Sequence, residues 1–200
     1  IQLSLEGELP PGVTASTGRI LEGSTDGCIL LTAAPDAQRA ALNVRVQGTG
    51  VYRAPTGEEQ VVAAIAKPMQ EVYMPGGGRY HIPVEMHTVS VGAPLDLLGV
   101  QLSATEIVLA PGGTQTIDVT IQRAAGFTQN VTLDVVYQHL GSIFGNSLPP
   151  GVTLDEAASQ TLLTGEQAQG KIVLKCAADA KPVVRQQIAV MAHVSINFVM

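Results

Sequence analysis

Leu148-Pro149-Pro150-Gly151-Val152-Thr153 repeats, residue for residue, the hexapeptide Leu9-Pro10-Pro11-Gly12-Val13-Thr14 found earlier in the same chain. Paired prolines cannot donate to a strand ladder and hold the preceding residue extended, while the glycine after them permits a sharp turn. The hexapeptide therefore reads as a strand-to-strand corner, with Leu9 and Val13 anchoring the first copy. A reading as a proline-rich ligand yields to this one, because the prolines sit inside a repeated corner. The matching continues downstream, where Gly27-Cys28-Ile29-Leu30-Leu31-Thr32-Ala33-Ala34-Pro35-Asp36-Ala37 aligns with Gly170-Lys171-Ile172-Val173-Leu174-Lys175-Cys176-Ala177-Ala178-Asp179-Ala180. A slightly longer loop precedes the second copy, as surface loops tolerate. Two related all-β modules are expected.

The composition agrees with that expectation. Two hundred residues fit two domains of roughly 100 residues each. A hydrophobic share of 46% supports packed cores. With 4% aromatics and no tryptophan, those cores must be built from Val, Ile, Leu and Ala. The net charge is −6 and Lys and Arg form no cluster, which argues against a phosphate-tracking nucleic-acid surface. Charged residues make up only 14%, a share that suits a polymer or a multidomain array. The longest apolar run, Val61 to Ala66, falls far short of the roughly 20 residues of a membrane helix. The first residue is Ile1, already inside a strand-like pattern, so the chain reads as a processed or trimmed piece of something longer.

Period-two alternation places the strands. In the first module Ile1, Leu3 and Leu5 alternate with polar residues, as do Leu42, Val44 and Val46, whose strand is expected to end at Gly48-Thr49-Gly50. A short apolar strand follows at Gln60 to Ala66. Pro75-Gly76-Gly77-Gly78 turns the chain into a long strand over Arg79 to Val91, and the boundary falls at Pro94 to Gly99, giving modules 1–97 and 98–200. The second module opens with an edge strand over Leu102 to Ala110 and a turn at Pro111-Gly112-Gly113. Strands follow on Ile117, Val119 and Ile121 and on Val131, Leu133 and Val135. Tyr137 to Asn146 is an inserted loop. Ile188, Val190, Ala192, Val194, Ile196 and Phe198 share one face of the last strand. A single turn within Asp155 to Gln160 is the best helical candidate. The first copy lacks the opening strands that the second has at Leu102 to Arg123, and the second lacks those that follow Thr49 in the first. Both sandwiches are thus expected to be incomplete at the chain ends, with strands supplied by neighbouring segments or subunits.

One pattern is wider than the repeat. Ala110-Pro111-Gly112-Gly113, an alternating strand from Ile117 to Arg123, Gly126-Phe127, Asn130 to Leu133 and Leu148 to Thr153 together resemble the immunoglobulin-like repeats of large secreted bacterial proteins, planctomycete-type ones especially. The likeness covers nearly all of the second module and the later half of the first. It implies an all-β fold of two tandem immunoglobulin-like or fibronectin-III-like antiparallel β-sandwich modules, without the Cys…Trp…Cys hallmark of antibody domains. It also implies spacer, adhesive or cell-surface roles in a secreted or cell-envelope setting, no cofactor and no catalytic residues. The partners to expect are other domains of the chain, neighbouring subunits, or a protein or glycan ligand.

Few residues suggest chemistry. His81, Glu85 and His87 fall on one face of the expected Arg79 to Val91 strand, in a set that could ligate zinc. Same-face neighbours lie about 7 Å apart along a strand, so the two histidines are too distant to share an ion unaided, and a solvated face is favoured. Pro75-Gly76-Gly77-Gly78-Arg79 lacks the Gly-Lys-Ser/Thr ending and the following helix of a phosphate loop, which leaves a hairpin turn, with a carboxylate or sugar contact through Arg79 and Tyr80 as the lesser reading. No nucleophile elbow or calcium loop is present. Asn130-Val131-Thr132 fits a glycosylation sequon, yet its strand position favours a structural role. Cys28 and Cys176 fall in different modules and on different faces and are expected to stay unbridged, with Cys176 a small buried residue. The best candidate recognition surface is the 137–146 segment with Tyr137, His139 and Phe144, since loops on a rigid sandwich carry binding; Arg79 and Tyr80 are the second candidate.

Overall fold

The computed structural model describes residues 1–93, 95–139 and 142–194. Every regular element among the described residues is a β-strand, and the strands pair antiparallel. The chain divides into two compact units, Ile1–Ala93 and Pro94–Met200.

The first unit holds β1 (Gln2–Glu6), β2 (Val13–Ala15), β3 (Gly18–Arg19), β4 (Leu31–Ala33), β5 (Ala40–Arg53), β6 (Glu59–Ala66), β7 (Met69–Met74), β8 (Gly78–Pro83) and β9 (His87–Val91). Its main sheet runs β3-β1-β5-β6. Strand β9 also pairs β5 and takes up where β6 leaves off, since Ala66 lies opposite Val46 and His87 opposite Val44. Between them β7 and β8 form a hairpin. Its neck is closed by the Val84 N–H donating to the Pro68 carbonyl at 2.8 Å and by Lys67 paired with Glu85 at 3.0 Å. The expected single strand over Arg79 to Val91 is therefore two strands with different partners, because the chain leaves the β7–β8 hairpin at Pro83 and returns to β5. The expected end of β5 at Gly48-Thr49-Gly50 is likewise corrected. A Cβ at Gly48 or Gly50 would stand 3.1 and 3.4 Å from the Ile1 side chain, so these glycines admit a close neighbour within a continuing strand.

The second unit holds β10 (Leu97–Leu102), β11 (Thr114–Arg123), β12 (Val131–Asp134), β13 (Val136–His139), β14 (Ser142–Asn146), β15 (Val152–Leu154), β16 (Leu162–Leu163), β17 (Gln169–Cys176) and β18 (Met191–Val194). One sheet runs β10-β11-β17-β15 and another β16-β12-β18. Their inward residues share a single core. Ile117, Val119, Ile121, Ile172 and Leu174 come from the first sheet, Val131, Leu133 and Leu163 from the second, and Leu148 from the repeated corner. Each such side chain stabilises the fold by about 1.5–3 kcal/mol when fully buried. Ile188, Val190, Ala192 and Val194 pack against this core; Ile196 and Phe198 lie outside the described residues.

Two expectations for the second unit are revised. Its opening strand is Leu97–Leu102 rather than Leu102 to Ala110. Beyond Leu102 the chain is tied to β11 by Ser103, whose N–H donates to the Asp118 carbonyl and whose Oγ accepts from the Asp118 N–H, both at 2.9 Å. Val108 is then left almost wholly exposed. The described residues of the 137–146 segment are paired strands and not a loop, for Tyr137 pairs Gly145 and Gln138 pairs Ile143 across a bulge; residues 140 and 141 lie outside the described residues. Asp155 to Gln160 forms one turn, closed by the Ser159 N–H on the Asp155 carbonyl at 3.0 Å.

Arg123 ends β11 as a clamp. Its guanidinium donates to the carbonyls of Gln129 at 2.7 Å, Gln167 at 3.0 Å and Leu163 at 3.2 Å, and it lies over the Phe127 ring at 5.6 Å. The planar fork suits several carbonyls at once, which gives the strand-ending Arg and the Gly-Phe after it a physical purpose.

The repeated hexapeptide is built the same way twice. Val13 donates its N–H to Pro10 at 2.9 Å and Val152 to Pro149 at 2.9 Å; Ala34 donates to Gly12 at 2.9 Å and Ala177 to Gly151 at 2.8 Å. Gly12 has φ +83° and Gly151 φ +84°. A Cβ on either would come within 2.9 Å of Ala37 or Ala180 respectively. From the corner, β2 pairs β4 with Val13 opposite Ala33, as β15 pairs β17 with Val152 opposite Cys176. Strand β1 lies between β3 and β5 as β12 lies between β16 and β18.

Candidate functional site

The sequence-derived candidates fall in separate places. Tyr137 and Phe144 meet across the β13–β14 hairpin, their ring centroids 5.9 Å apart and tilted by 53°. Both rings are largely exposed, as is Ile143. Bulged pairing brings the two rings together, although their spacing in sequence is not that of direct partners. His139 closes β13 opposite Ser142.

Arg79 and Tyr80 belong to β8 in the first unit. As neighbours in a strand they face opposite ways, so they do not converge on one ligand. Arg79 is engaged within its own hairpin. It lies 5.4 Å from the Tyr73 ring and 3.7 Å from the Glu71 carboxylate, while Tyr80, opposite Val72, is exposed.

His81, Glu85 and His87 do not share a strand face. His81 is opposite Glu71 on the hairpin, Glu85 pairs Lys67 at the neck, and His87 is on β9 opposite Val44 with its Nε2 buried and unpartnered. Among the described residues no three His, Cys, Asp or Glu side chains gather as a metal site. Neither cysteine is in a disulfide, and Cys176 is half-buried rather than fully buried.

The most distinctive surface is the β4 edge of the first unit; the missing opening strands predict an unpaired edge in this copy, but sequence reasoning singled out none of its residues. In the second unit β17 is flanked by β15 on one side and by β11 on the other. Strand β4, its counterpart, pairs β2 alone among the described residues. The consequence is read in exposure. Leu30 and Leu31 are 41% and 46% exposed, against 7% and 1% for the aligned Val173 and Leu174. The signal was present in the alignment of Ile29-Leu30-Leu31 with Ile172-Val173-Leu174. What it needed was the pairing of β11 with β17, which shows that the strand the first copy lacks is the one beside this position.

The rest of the first unit is similarly open. Val44 is buried, and Leu3, Leu5, Leu42 and Val46 are half-buried. Strand β6 is exposed along its whole length and lies at the end of its sheet. Such an apolar edge, unpaired among the described residues, is a template for strand addition. Among the described residues no helix is long and apolar enough to cross a membrane. Comparison with protein-family models, with curated proteins and with solved structures finds no match to this chain.

Proposed function

We propose that the chain is a non-catalytic structural or adhesive module of a secreted or cell-surface assembly, built from immunoglobulin-like repeats and completed by strands from neighbouring segments or subunits. The observation that carries this reading is the contrast between one unit with a closed core and another in which the same corner leads to an uncovered strand. Isolated apolar strand faces of that kind mark association surfaces. Low charge, the absence of a basic patch and the resemblance of Ala110–Arg123, Gly126-Phe127 and Leu148–Thr153 to secreted bacterial repeats support it further.

The test is fractionation of the native source with an antibody raised against the chain. Recovery in the envelope or culture medium, in assemblies well above the 20.8 kDa of this chain, is the expected result. A cytosolic monomer of that mass would overturn the reading.

A second reading rests on the exposed Tyr137–Phe144 pair. Two exposed rings tilted by 53° on a hairpin present aromatic faces on which a sugar ring or a protein side chain can stack. A glycan array and a pull-down decide between the two, because only this reading ties ligand retention to those rings.

A further inference from the structure

The geometry points to the β4 edge as a receptor for one extended peptide strand from a polypeptide other than a second copy of this chain, bound antiparallel to Cys28–Thr32, with apolar residues at alternate positions. This deepens the structural-module reading and rests on it. The second unit supplies the template. There β11 pairs β17 with Thr114 opposite Lys175, Thr116 opposite Val173, Ile117 opposite Ile172, Asp118 opposite Lys171 and Val119 opposite Gly170. Its residues Ile117, Val119 and Ile121 are buried in the core. Aligned through the repeat, Lys171 corresponds to Cys28, Ile172 to Ile29 and Gly170 to Gly27.

Backbone polarity agrees. The Leu30 N–H donates to Ser16 Oγ and its carbonyl accepts from the Ser16 N–H, both at 2.9 Å, just as Val173 bonds Ser159 Oγ and the Asp155 N–H. Leu30 thus points toward β2. Strand alternation then turns the N–H and C=O of Ile29, Leu31 and Ala33 to the opposite edge, where no strand pairs among the described residues. In the second unit the corresponding edge is satisfied by β11 and its lead-in, where the Cys176 N–H donates to Gly113 at 2.9 Å. The occupant is therefore a strand that offers ladder hydrogen bonds to Ile29, Leu31 and Ala33. It places one apolar side chain opposite Ile29, another opposite Gly27 and a third two residues further along. Recognition of this type draws affinity from the main chain and specificity from alternate side chains.

Cys28 makes the register measurable. Asp118 faces Lys171 in the template, so a peptide of sequence Thr114–Arg123 carrying Asp118→Cys would set its sulfur opposite Cys28, at a Cα separation a disulfide accepts. The peptide is added to the whole 200-residue chain as a mixed disulfide with thionitrobenzoate. The Cys28 thiolate attacks the peptide sulfur and thionitrobenzoate departs, which colour and peptide mapping both report. Labelling of Cys28 at least tenfold faster than by the same peptide carrying Ile117→Cys instead is the expected result. Replacing the peptide's Ile117, Val119 and Ile121 by Asp should abolish that advantage, with the protein itself unaltered. Leu31→Pro in the chain removes an edge N–H without touching the β2 ladder and should abolish it too.

Equal rates for all peptides, or reaction at Cys176 alone, would overturn the inference. So would self-association of the chain that shields Cys28 before peptide is added, since a second copy would then hold the edge. Failure here leaves recovery of the chain in surface assemblies unaffected, so the two readings fall separately.

Discussion

Leu31 and Leu174 occupy the same position relative to the same corner, each opposite the residue that directly follows the repeated Val-Thr, yet one is 46% exposed and the other 1%. Ala15 faces the first and Leu154 the second. What separates them is the strand on the far side, because Gln115 of β11 lies opposite Leu174 while β4 has no second neighbour among the described residues. The difference in environment sets a difference in energy.

Leu174→Ala should destabilise the second unit by about 2–5 kcal/mol, the cost of lost burial plus the cavity left behind. Leu31→Ala should cost the first unit less, about 1 kcal/mol, as expected of a side chain already nearly half in water. Urea unfolding followed separately for each unit checks the pair. Equal losses would mean that Leu31 is covered in solution.

Gly12 and Gly151 combine positive φ with a neighbour inside contact distance. Gly151→Ala and Gly12→Ala should each cost more than the roughly 1–2 kcal/mol of the left-handed backbone alone, because the new methyl group also meets Ala180 or Ala37. Gly126, at φ +79° with nothing within 4 Å of an added Cβ, is the control. Gly126→Ala should cost only that backbone share. Thermal unfolding of the three variants orders them.

Arg123→Lys keeps the charge and loses the fork. One ammonium cannot reach the Gln129, Gln167 and Leu163 carbonyls together, nor lie flat on Phe127. A loss of about 2 kcal/mol or more follows from hydrogen bonds to a charged donor at roughly 1.5–3 kcal/mol each. Denaturant midpoints for Arg123→Lys and Arg123→Ala should therefore lie close together. A silent Lys variant would show that charge alone matters.

Replacing Tyr137 and Phe144 together by alanine should leave the far-ultraviolet circular dichroism unchanged and lower stability by no more than the 0.5–1.5 kcal/mol or so of an exposed ring pair. Assembly should be unaffected if the chain is a structural module. Loss of retention on a glycan array with the fold intact would move the function to this hairpin.

The strands that could be placed from sequence are those whose partners are near or whose alternation is clean. Ile117, Val119 and Ile121 alternate with polar residues and are buried on one face, since a two-sided sheet forces that pattern. The misplacements arose where alternation continues through a change of partner. Arg79 to Val91 alternates well enough for one strand, but Pro83 and the ion pair of Lys67 with Glu85 return the chain to β5. Tyr137 to Asn146 looked like a loop because its apolar residues follow neither period, and the bulge between Tyr137 and Gln138 is what shifts them. The recognition candidates were legible as residue types and not as a site. Arg79 is absorbed by Tyr73 and Glu71, and Tyr80 points away from it.

The chain's own residues determined that it is all-β and that one corner is built twice. Period-two patterning and the torsional limits of Pro-Pro-Gly act within a few residues and survive any tertiary context. Only the tertiary structure decided where the strand missing from the first copy leaves it uncovered, at Leu30 and Leu31. Ile29-Leu30-Leu31 and Ile172-Val173-Leu174 are equally apolar, and whether a second strand lies beside them depends on pairing between distant segments, which alternation alone does not encode.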